Sequence, residues 1–192
     1  RVCLVEVAGA RTLMAACATP VAPEMKVDAR SPRVRAARRQ AVELLLSEHE
    51  GDCPACARGD DCELRRLARE TGVEQITFPG GKPRPRLDDS TPALVRDNAK
   101  CIKCRRCVTV CNEVQGIGAL FPQGRGFETV IGPAFARDLE GVTCVQCGQC
   151  AAVCPVGAIV ERSHIEQVWA ALADPSRTVV VQTAPAIRAA LG

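Results

Sequence analysis

Aromatic residues are scarce in this 192-residue chain: it has no tyrosine, one tryptophan and four phenylalanines. A core built on aromatic stacking is excluded, so much of the organising energy must come from elsewhere. Charge of one sign is lacking as well, because 25 Lys and Arg stand against 22 Asp and Glu, a formal net charge of +3. That balance gives no electrostatic case for nucleic acid. Arg33, Arg35, Arg38 and Arg39 fall on a predicted helix without stacking residues nearby, and a solvated face is the expected reading of them. No segment reads as a signal peptide or a spanning helix. What the chain has in excess is cysteine, thirteen in all. A disulfide framework suits short secreted chains and an even count, and neither applies here, which leaves metal.

Periodicity divides the sequence. Leu4 to Val7 and Thr12 to Ala16 are short extended candidates around Gly9, consistent with a hairpin. Ser31 is an N-cap candidate with Pro32 at the first helical position, and Val34, Ala37, Ala41, Leu44 and Leu45 recur at helical spacing to about Glu48. A second helix is predicted from Cys62 through Arg69, with Leu64, Leu67 and Ala68 inside and Gly72 as its stop. Phe78 to Pro92 holds too many Pro and Gly residues for a regular element and reads as a linker. Beyond it lies an internal repeat, KCIKCRRCVTVC from Lys100 and TCVQCGQCAAVC from Thr143. Ser163 to Glu166 has the form of a capping box that opens a helix carrying Ile165, Val168, Trp169 and Leu172, closed by Pro175. Thr178 to Thr183 reads as a buried strand, and another helix starts at Ala186. Opening at Arg1 without Met and closing in an unfinished helical pattern, the sequence reads as a piece of something longer.

The repeat carries the sharpest chemistry. Cys101, Cys104, Cys107 and Cys111 form C-x2-C-x2-C-x3-C, and Cys144, Cys147, Cys150 and Cys154 repeat the pattern with Pro155 after it. Three thiolates so close wrap three irons of a cubane, while the fourth is carried on to a neighbouring cluster. The expected ligand sets therefore cross: Cys101, Cys104, Cys107 and Cys154 for one [4Fe-4S] cluster, and Cys144, Cys147, Cys150 and Cys111 for the other. Zinc commonly uses two separated C-x2-4-C pairs and has no need of a doubled run. Gly116, Gly118, Ala151, Ala152 and Gly157 suit a backbone that packs close and aims N–H groups at sulfide. Asn112 replaces the Pro expected after the fourth cysteine of the first run, a position that is not a ligand.

A second group is His49, Cys53, Cys56 and Cys62, spaced H-x3-C-x2-C-x5-C. The spacing alone serves a Cys3His zinc site or a His-ligated cubane, and the company of the repeat favours the cubane. A neutral imidazole in place of a thiolate leaves a cluster less negative, so its potential is expected to sit above its all-cysteine neighbours. Asp52 and Asp60 nearby read as outer or solvent residues. Cys3 and Cys17 remain, and a core thiol is the usual fate of an isolated cysteine.

Several stretches carry a family resemblance: Cys3-Leu4-Val5-Glu6-Val7, Ala16-Cys17-Ala18-Thr19-Pro20-Val21, VELLLSEH from Val42 and DCPAC from Asp52. They resemble the N-terminal region of multi-cluster [FeFe]-hydrogenases and the related large iron-sulfur subunit of NADH:quinone oxidoreductase. The resemblance implies that Cys3 and Cys17 are the last two of four ligands to a [2Fe-2S] cluster of a plant-ferredoxin-like domain, so that this chain carries half of that site. Both complete cysteine runs, and Val179 to Arg188, which resembles the opening of an H-cluster domain, favour the clostridial or NADP-reducing hydrogenases. The iron-sulfur segment of a formate dehydrogenase alpha subunit, or of the quinone oxidoreductase, is the alternative.

The fold implied is α+β in four pieces. Residues 1–30 are the end of a [2Fe-2S] ferredoxin-like domain, and 31–75 are a small helical His/Cys3 [4Fe-4S] domain. A linker at 76–97 leads to a two-[4Fe-4S] ferredoxin-like domain at 98–162. Residues 163–192 are a connecting helix and the start of the H-cluster domain. The resemblance also implies an electron relay through three [4Fe-4S] clusters, with a [2Fe-2S] cluster in the full-length protein. It would run between ferredoxin or an NAD(P)H-oxidising flavin subunit and the H-cluster domain of the same chain. The expected setting is cytoplasmic, where thiolates stay reduced, and no catalytic residue is expected in the segment itself. A free-standing polyferredoxin and a zinc-binding interaction module are the competing classes.

Overall fold

The computed structural model describes residues 2–82 and 86–191 and mixes short helices with three small sheets. Arg1, Gly192 and the breakers Pro83 and Pro85 lie outside the described residues. Residues Arg1–Glu161 form one compact unit and Arg162–Gly192 another.

In the first unit β1 (Leu4–Val7) is the centre of a three-stranded antiparallel sheet, flanked by β2 (Met14–Ala15) and β3 (Val27–Asp28). Leu4 pairs with Ala15 and Val7 with Val27. Gly9 takes φ +84° in the connection, a conformation that side chains with a Cβ rarely adopt. Strand β3, absent from the sequence reading, is only two residues long and exposed, so it carries no alternating apolar pattern to detect.

Helix α1 (Pro32–Glu48) opens as its sequence dictates: Pro32 presets φ, and the Ser31 hydroxyl accepts from the Val34 N–H at 3.2 Å. Its inner stripe follows the expected one at Val34, Ala37, Ala41 and Leu45 and departs from it at Leu44, which is 51 % exposed, while Val42 is fully buried and Leu46 packs partly against the core. Helix α1 is gripped from two sides. Helix α2 (Glu63–Thr71) packs on one flank, while Arg38 reaches β1 and donates to the Leu4 carbonyl from Nε at 3.2 Å and Nη2 at 2.8 Å. Arg33 also docks, donating to the Arg11 carbonyl at 3.2 Å, so the basic face is not simply solvated. Helix α2 buries Leu64 and ends at Gly72 in the left-handed region (φ 68°), whose N–H returns to Ala68 and Arg69.

The stretch from Phe78 to Pro92 is more ordered than a linker of breakers. It contains β4 (Leu87–Asp88), which pairs with β5 (Leu94–Asp97), and β5 pairs in turn with β8 (Ile159–Glu161). Asp88 and Thr91 are buried, and a Cβ on Gly80 would collide with the Ser47 carbonyl at the end of α1. The tertiary partner β5 overrides the local count of Pro and Gly. Strands β6 (Phe121–Gln123) and β7 (Val130–Gly132) form a separate hairpin between the two cysteine runs.

Among the described residues the core has no aromatic side chain. Val42, Leu64, Leu94, Leu120, Ile131, Leu139, Val156 and Ile159 surround the buried thiols of Cys107, Cys111 and Cys154, while Phe121, Phe127 and Phe135 are exposed. In the second unit α5 (Ile165–Ala173) is followed by Asp174-Pro175, and α6 spans Pro185–Leu191. The expected capping box does not close: His164, not Ser163, is the cap residue, and the Ser163 hydroxyl meets only the Ile165 N–H, at 3.5 Å. Thr178 to Thr183 is not a buried strand. It has no pairing partner among the described residues, and Val181 is 85 % exposed, since a β-branched run becomes a strand only against another strand.

Candidate metal centres

The two cysteine runs fold alike. In the first, Lys103 (φ 56°) and Arg105 (φ 64°) are left-handed; in the second, Gln146 (φ 54°) and Gly148 (φ 75°) take the corresponding positions. Alternating left-handed residues curl the chain so that successive N–H groups face inward, a concavity suited to an anionic group. The Lys103 N–H lies 3.4 Å from Cys101 Sγ, and the Ala119 N–H 3.3 Å from Cys111 Sγ. Each loop then enters a single helical turn, α3 (Arg106–Thr109) or α4 (Gln149–Ala152), which lifts the third cysteine to the helix start and carries the fourth onward.

The fourth cysteines cross over. Cys101, Cys104, Cys107 and Cys154 line one cavity, together with Arg96, Asn98 and Ile131. Cys144, Cys147, Cys150 and Cys111 line a second, with Leu94, Leu120 and Leu139. Helices α3 and α4 pack together, and this brings each run's last cysteine to the other run's loop. Burial pushes the Cys107 thiol up to about 12, helped by negative charge at Cys101, Cys104, Cys154 and Cys150. Cys150 is pushed up to about 11 by burial and by Cys144, and Cys101 is raised chiefly by burial.

A third cavity is lined by His49, Cys53, Cys56, Cys62 and Gly157. His49 caps α1 and is buried, and burial lowers its basicity, so the ring is neutral at pH 7. Its Nδ1 lies 3.0 Å from the Lys100 carbonyl, which can only accept; Nδ1 therefore carries the proton and Nε2 keeps its lone pair. The Gly59 N–H donates to the Cys56 carbonyl at 2.9 Å, closing a tight turn between Cys53 and Cys62. This centre is fused to the repeat. Glu50 N–H donates to Ala99 O at 3.0 Å and Glu63 N–H to Pro155 O at 2.9 Å, while Arg106 clasps Glu63 at 2.6 and 2.9 Å. A Cβ on Gly157 would fall 2.5 Å from Cys56 Sγ, so only glycine admits that thiol.

Cys3 and Cys17 meet at the end of the first sheet, Sγ to Sγ 3.3 Å, and the Cys3 thiol is lowered by its bonds to Cys17. The pair is held by the hairpin, in which Ala16 N–H donates to Cys3 O at 3.0 Å. Asp52 and Asp60 are exposed, and Asp60 faces Arg65 at 3.9 Å.

Sequence reasoning missed Arg96, Asn98 and the Lys100 carbonyl as parts of these sites. Arg96 was detectable: it shares the inward parity of Leu94 on β5, where a charged residue is out of place. The Lys100 carbonyl left no signal, because a backbone group has no residue type.

Two sequence families match. Residues 38–77 match the NADH-ubiquinone oxidoreductase-G iron-sulfur binding region, and residues 100–158 the 4Fe-4S dicluster domain. The chain is 50 % identical over all 192 residues to the NADP-reducing hydrogenase subunit HndD of Solidesulfovibrio fructosivorans, and spans 33 % of that protein. It is 37 % identical over 162 residues to a G-type subunit of NADH-quinone oxidoreductase from Rhizobium meliloti, covering 83 % of this chain and 19 % of that one. A crystal structure of an NAD+-reducing [NiFe]-hydrogenase in the H2-reduced state contains a chain with the same fold, TM-score 0.77 at 32 % identity, covering 84 % of this chain and 68 % of that one. The chain thus spans about a third of the hydrogenase relative and about a fifth of the quinone oxidoreductase relative. With ferredoxin-like 4Fe-4S regions at 38–77 and 100–158, the chain belongs to the family of iron-sulfur electron-relay subunits shared by NAD(P)-linked hydrogenases and NADH-quinone oxidoreductase.

Proposed function

We propose that the chain is the accessory-cluster segment of an [FeFe]-hydrogenase of the NADP-reducing or clostridial kind, holding three [4Fe-4S] clusters. The observation that carries this reading is the sorting of eleven cysteines and one histidine into three cavities of four, with Cys154 and Cys111 exchanged between the runs. Bound there, the clusters would supply one-electron redox levels in series. The chain's own residues would hold them, exclude water and set their potentials; no general acid or base is needed. His49, neutral and oriented through Nδ1, would present Nε2 to the third cluster.

The close packing of His49, Lys100 and Gly157 supports a continuous route between the His-ligated centre and the crossed pair. Cys3 and Cys17 would be half of a [2Fe-2S] site completed in the full-length protein. Electrons would pass between a ferredoxin or an NAD(P)H-oxidising flavin subunit and an H-cluster domain of the same chain, in the cytoplasm. No helix among the described residues is long and apolar enough to cross a membrane. A second reading, the corresponding segment of a quinone oxidoreductase or formate dehydrogenase, draws on the 37 % identity to the Rhizobium meliloti quinone oxidoreductase relative.

The test is anaerobic reconstitution followed by assays for cluster content and for hydrogen. The reading expects a brown protein that neither evolves hydrogen with reduced viologen nor consumes it with oxidised viologen, because all thirteen cysteines have other assignments. Hydrogen from the purified segment, or a colourless zinc-loaded protein, would contradict it.

A further inference from the structure

Arg96 is a buried cation, 3 % exposed, placed at the wall of the cavity lined by Cys101, Cys104, Cys107 and Cys154. Most of its guanidinium is committed. Nη1 donates to Asn98 Oδ1 at 3.0 Å and to the Ile131 carbonyl at 2.6 Å, and Nη2 donates to Asp88 Oδ2 at 3.1 Å. Asp88 is fixed in turn by the Ser90 hydroxyl at 2.7 Å and the Leu139 N–H at 3.0 Å. Gly132 makes room for the head group, since a Cβ there would come within 2.5 Å of Nη1. One nitrogen is left without a partner: Nε is fully buried and has no acceptor among the described residues. Leaving a buried guanidinium N–H unmade is unfavourable, so a site that pins the other nitrogens and leaves this one open expects an acceptor from outside the polypeptide.

Arg105, exposed, is the other charged side chain that lines this cavity, and the sister cavity has none among the described residues. Around Cys144, Cys147, Cys150 and Cys111 the polar lining is neutral, Gln115, Gln146 and Gln149, and no charged side chain among the described residues takes part. Net charge and hydrogen bonds to sulfur both set cluster potentials, because an added electron is stabilised by a nearby positive dipole or donor.

Resting on the three-cluster reading, we propose that Arg96 tunes one centre: its Nε–H donates to a sulfur of the cluster held by Cys101, Cys104, Cys107 and Cys154, making that cluster easier to reduce than its sister. Arg96 acts on the cluster as a hydrogen-bond donor and is not a ligand. The pair with Asp88 offsets its charge and locks its direction, so the effect is local to one cluster.

The experiment is an EPR-monitored redox titration of the anaerobically reconstituted full chain. Cys104→Ser, which alters only its own cluster, assigns the signals. Arg96→Lys keeps a cation opposite Asp88 and removes the Nε–H; the double variant Arg96→Met with Asp88→Asn removes cation and counterion together. In both, the cluster of the Cys101 set is expected to become harder to reduce by at least tenfold in its reduction equilibrium, 59 mV for a one-electron couple, with the sister cluster moving by less than half as much. Full iron and sulfide content with neither potential moved, or with both moved equally, would overturn the role of Arg96 and leave the cluster reading standing. Wild-type protein carrying 15N in its arginine side chains gives an independent reading. A nitrogen hyperfine coupling to the reduced Cys101-set cluster, lost in Arg96→Lys, is expected, and no difference between the two proteins would overturn the proposal. Wild-type protein that loads no iron would overturn the cluster reading and this proposal together.

Discussion

The first cysteine run passes from α3 into a five-residue π-helical stretch, Val110–Val114, whereas the second stops after the single turn of α4. The difference traces to one position. Pro155 follows Cys154 and cannot continue a helix, but Asn112 follows Cys111, and its amide donates to the Leu120 carbonyl at 3.1 Å. The wider turn still delivers Cys111 to the second cavity, so a change of no consequence for ligation reshapes the backbone around it. The walls diverge too: a clamped Arg96 and an exposed Arg105 on one side, neutral glutamines on the other. Identical thiol spacing thus fixes where two clusters would sit and leaves their environments free to differ, which is how one module can offer two redox levels.

The sharpest break of this comparison is ligand exchange. If the runs cross, Cys154→Ala empties the centre of the first run and Cys111→Ala that of the second; each should lower iron by about four per chain, and EPR with Cys104→Ser as reference should show the opposite cluster lost from the one containing the mutation. Loss of the cluster in the mutated run itself would mean that the runs do not cross. The next effect is on the third centre. Gly157→Ala pushes a methyl group onto Cys56 Sγ and should selectively release the His-ligated cluster, detectable as lost iron with the other two EPR signals intact. His49→Cys, in contrast, should keep that cluster and lower its potential, by adding negative charge.

A pH effect follows from the thiols. In the cluster-free chain Cys107 and Cys150 are raised to about 12 and about 11, above their unfolded values. Raised groups give stability that is whole below the unfolded thiol value near 8.5 and is lost as pH climbs through the folded values. Cluster-free protein should therefore unfold at lower denaturant concentration at pH 10 than at pH 7, and loading should release protons, measurable in weak buffer. His49 runs the other way: its lowered value makes the neutral ring costly to keep as pH falls below about 6.5, so the third cluster should be the most acid-labile. The smallest effect belongs to Arg106→Gln. It removes a half-exposed clasp on Glu63 and should cost about 1 kcal/mol or less in denaturation, because exposed pairs are screened.

How far the sequence could be read depended on whether a feature was local. The Ser31-Pro32 start of α1 and the Gly72 stop of α2 are short-range chemistry, and both stand in the fold where they were expected. Of the stripe expected on α1 only Leu44 is exposed, whereas the docking of Arg38 on β1, thirty-four residues earlier in sequence, is a partner that no helical periodicity encodes. The strand expected at Thr178 to Thr183 failed for the same reason in reverse: its β-branched residues were legible, and its lack of a partner among the described residues was not. Asp88 and Arg96 form a buried pair across β4 and β5; the parity of Arg96 with Leu94 was legible, and its partner was not, because the pairing of β4 with β5 is a tertiary contact.

The most direct test of the account is Mössbauer spectroscopy and chemical analysis of the anaerobically prepared, 57Fe-reconstituted chain. Three cubanes, two of them crossed, predict about twelve iron and about twelve acid-labile sulfide per chain, all in [4Fe-4S] form, with one iron site distinguished by nitrogen ligation. A chain that saturates with zinc, or that holds iron without sulfide, would contradict it.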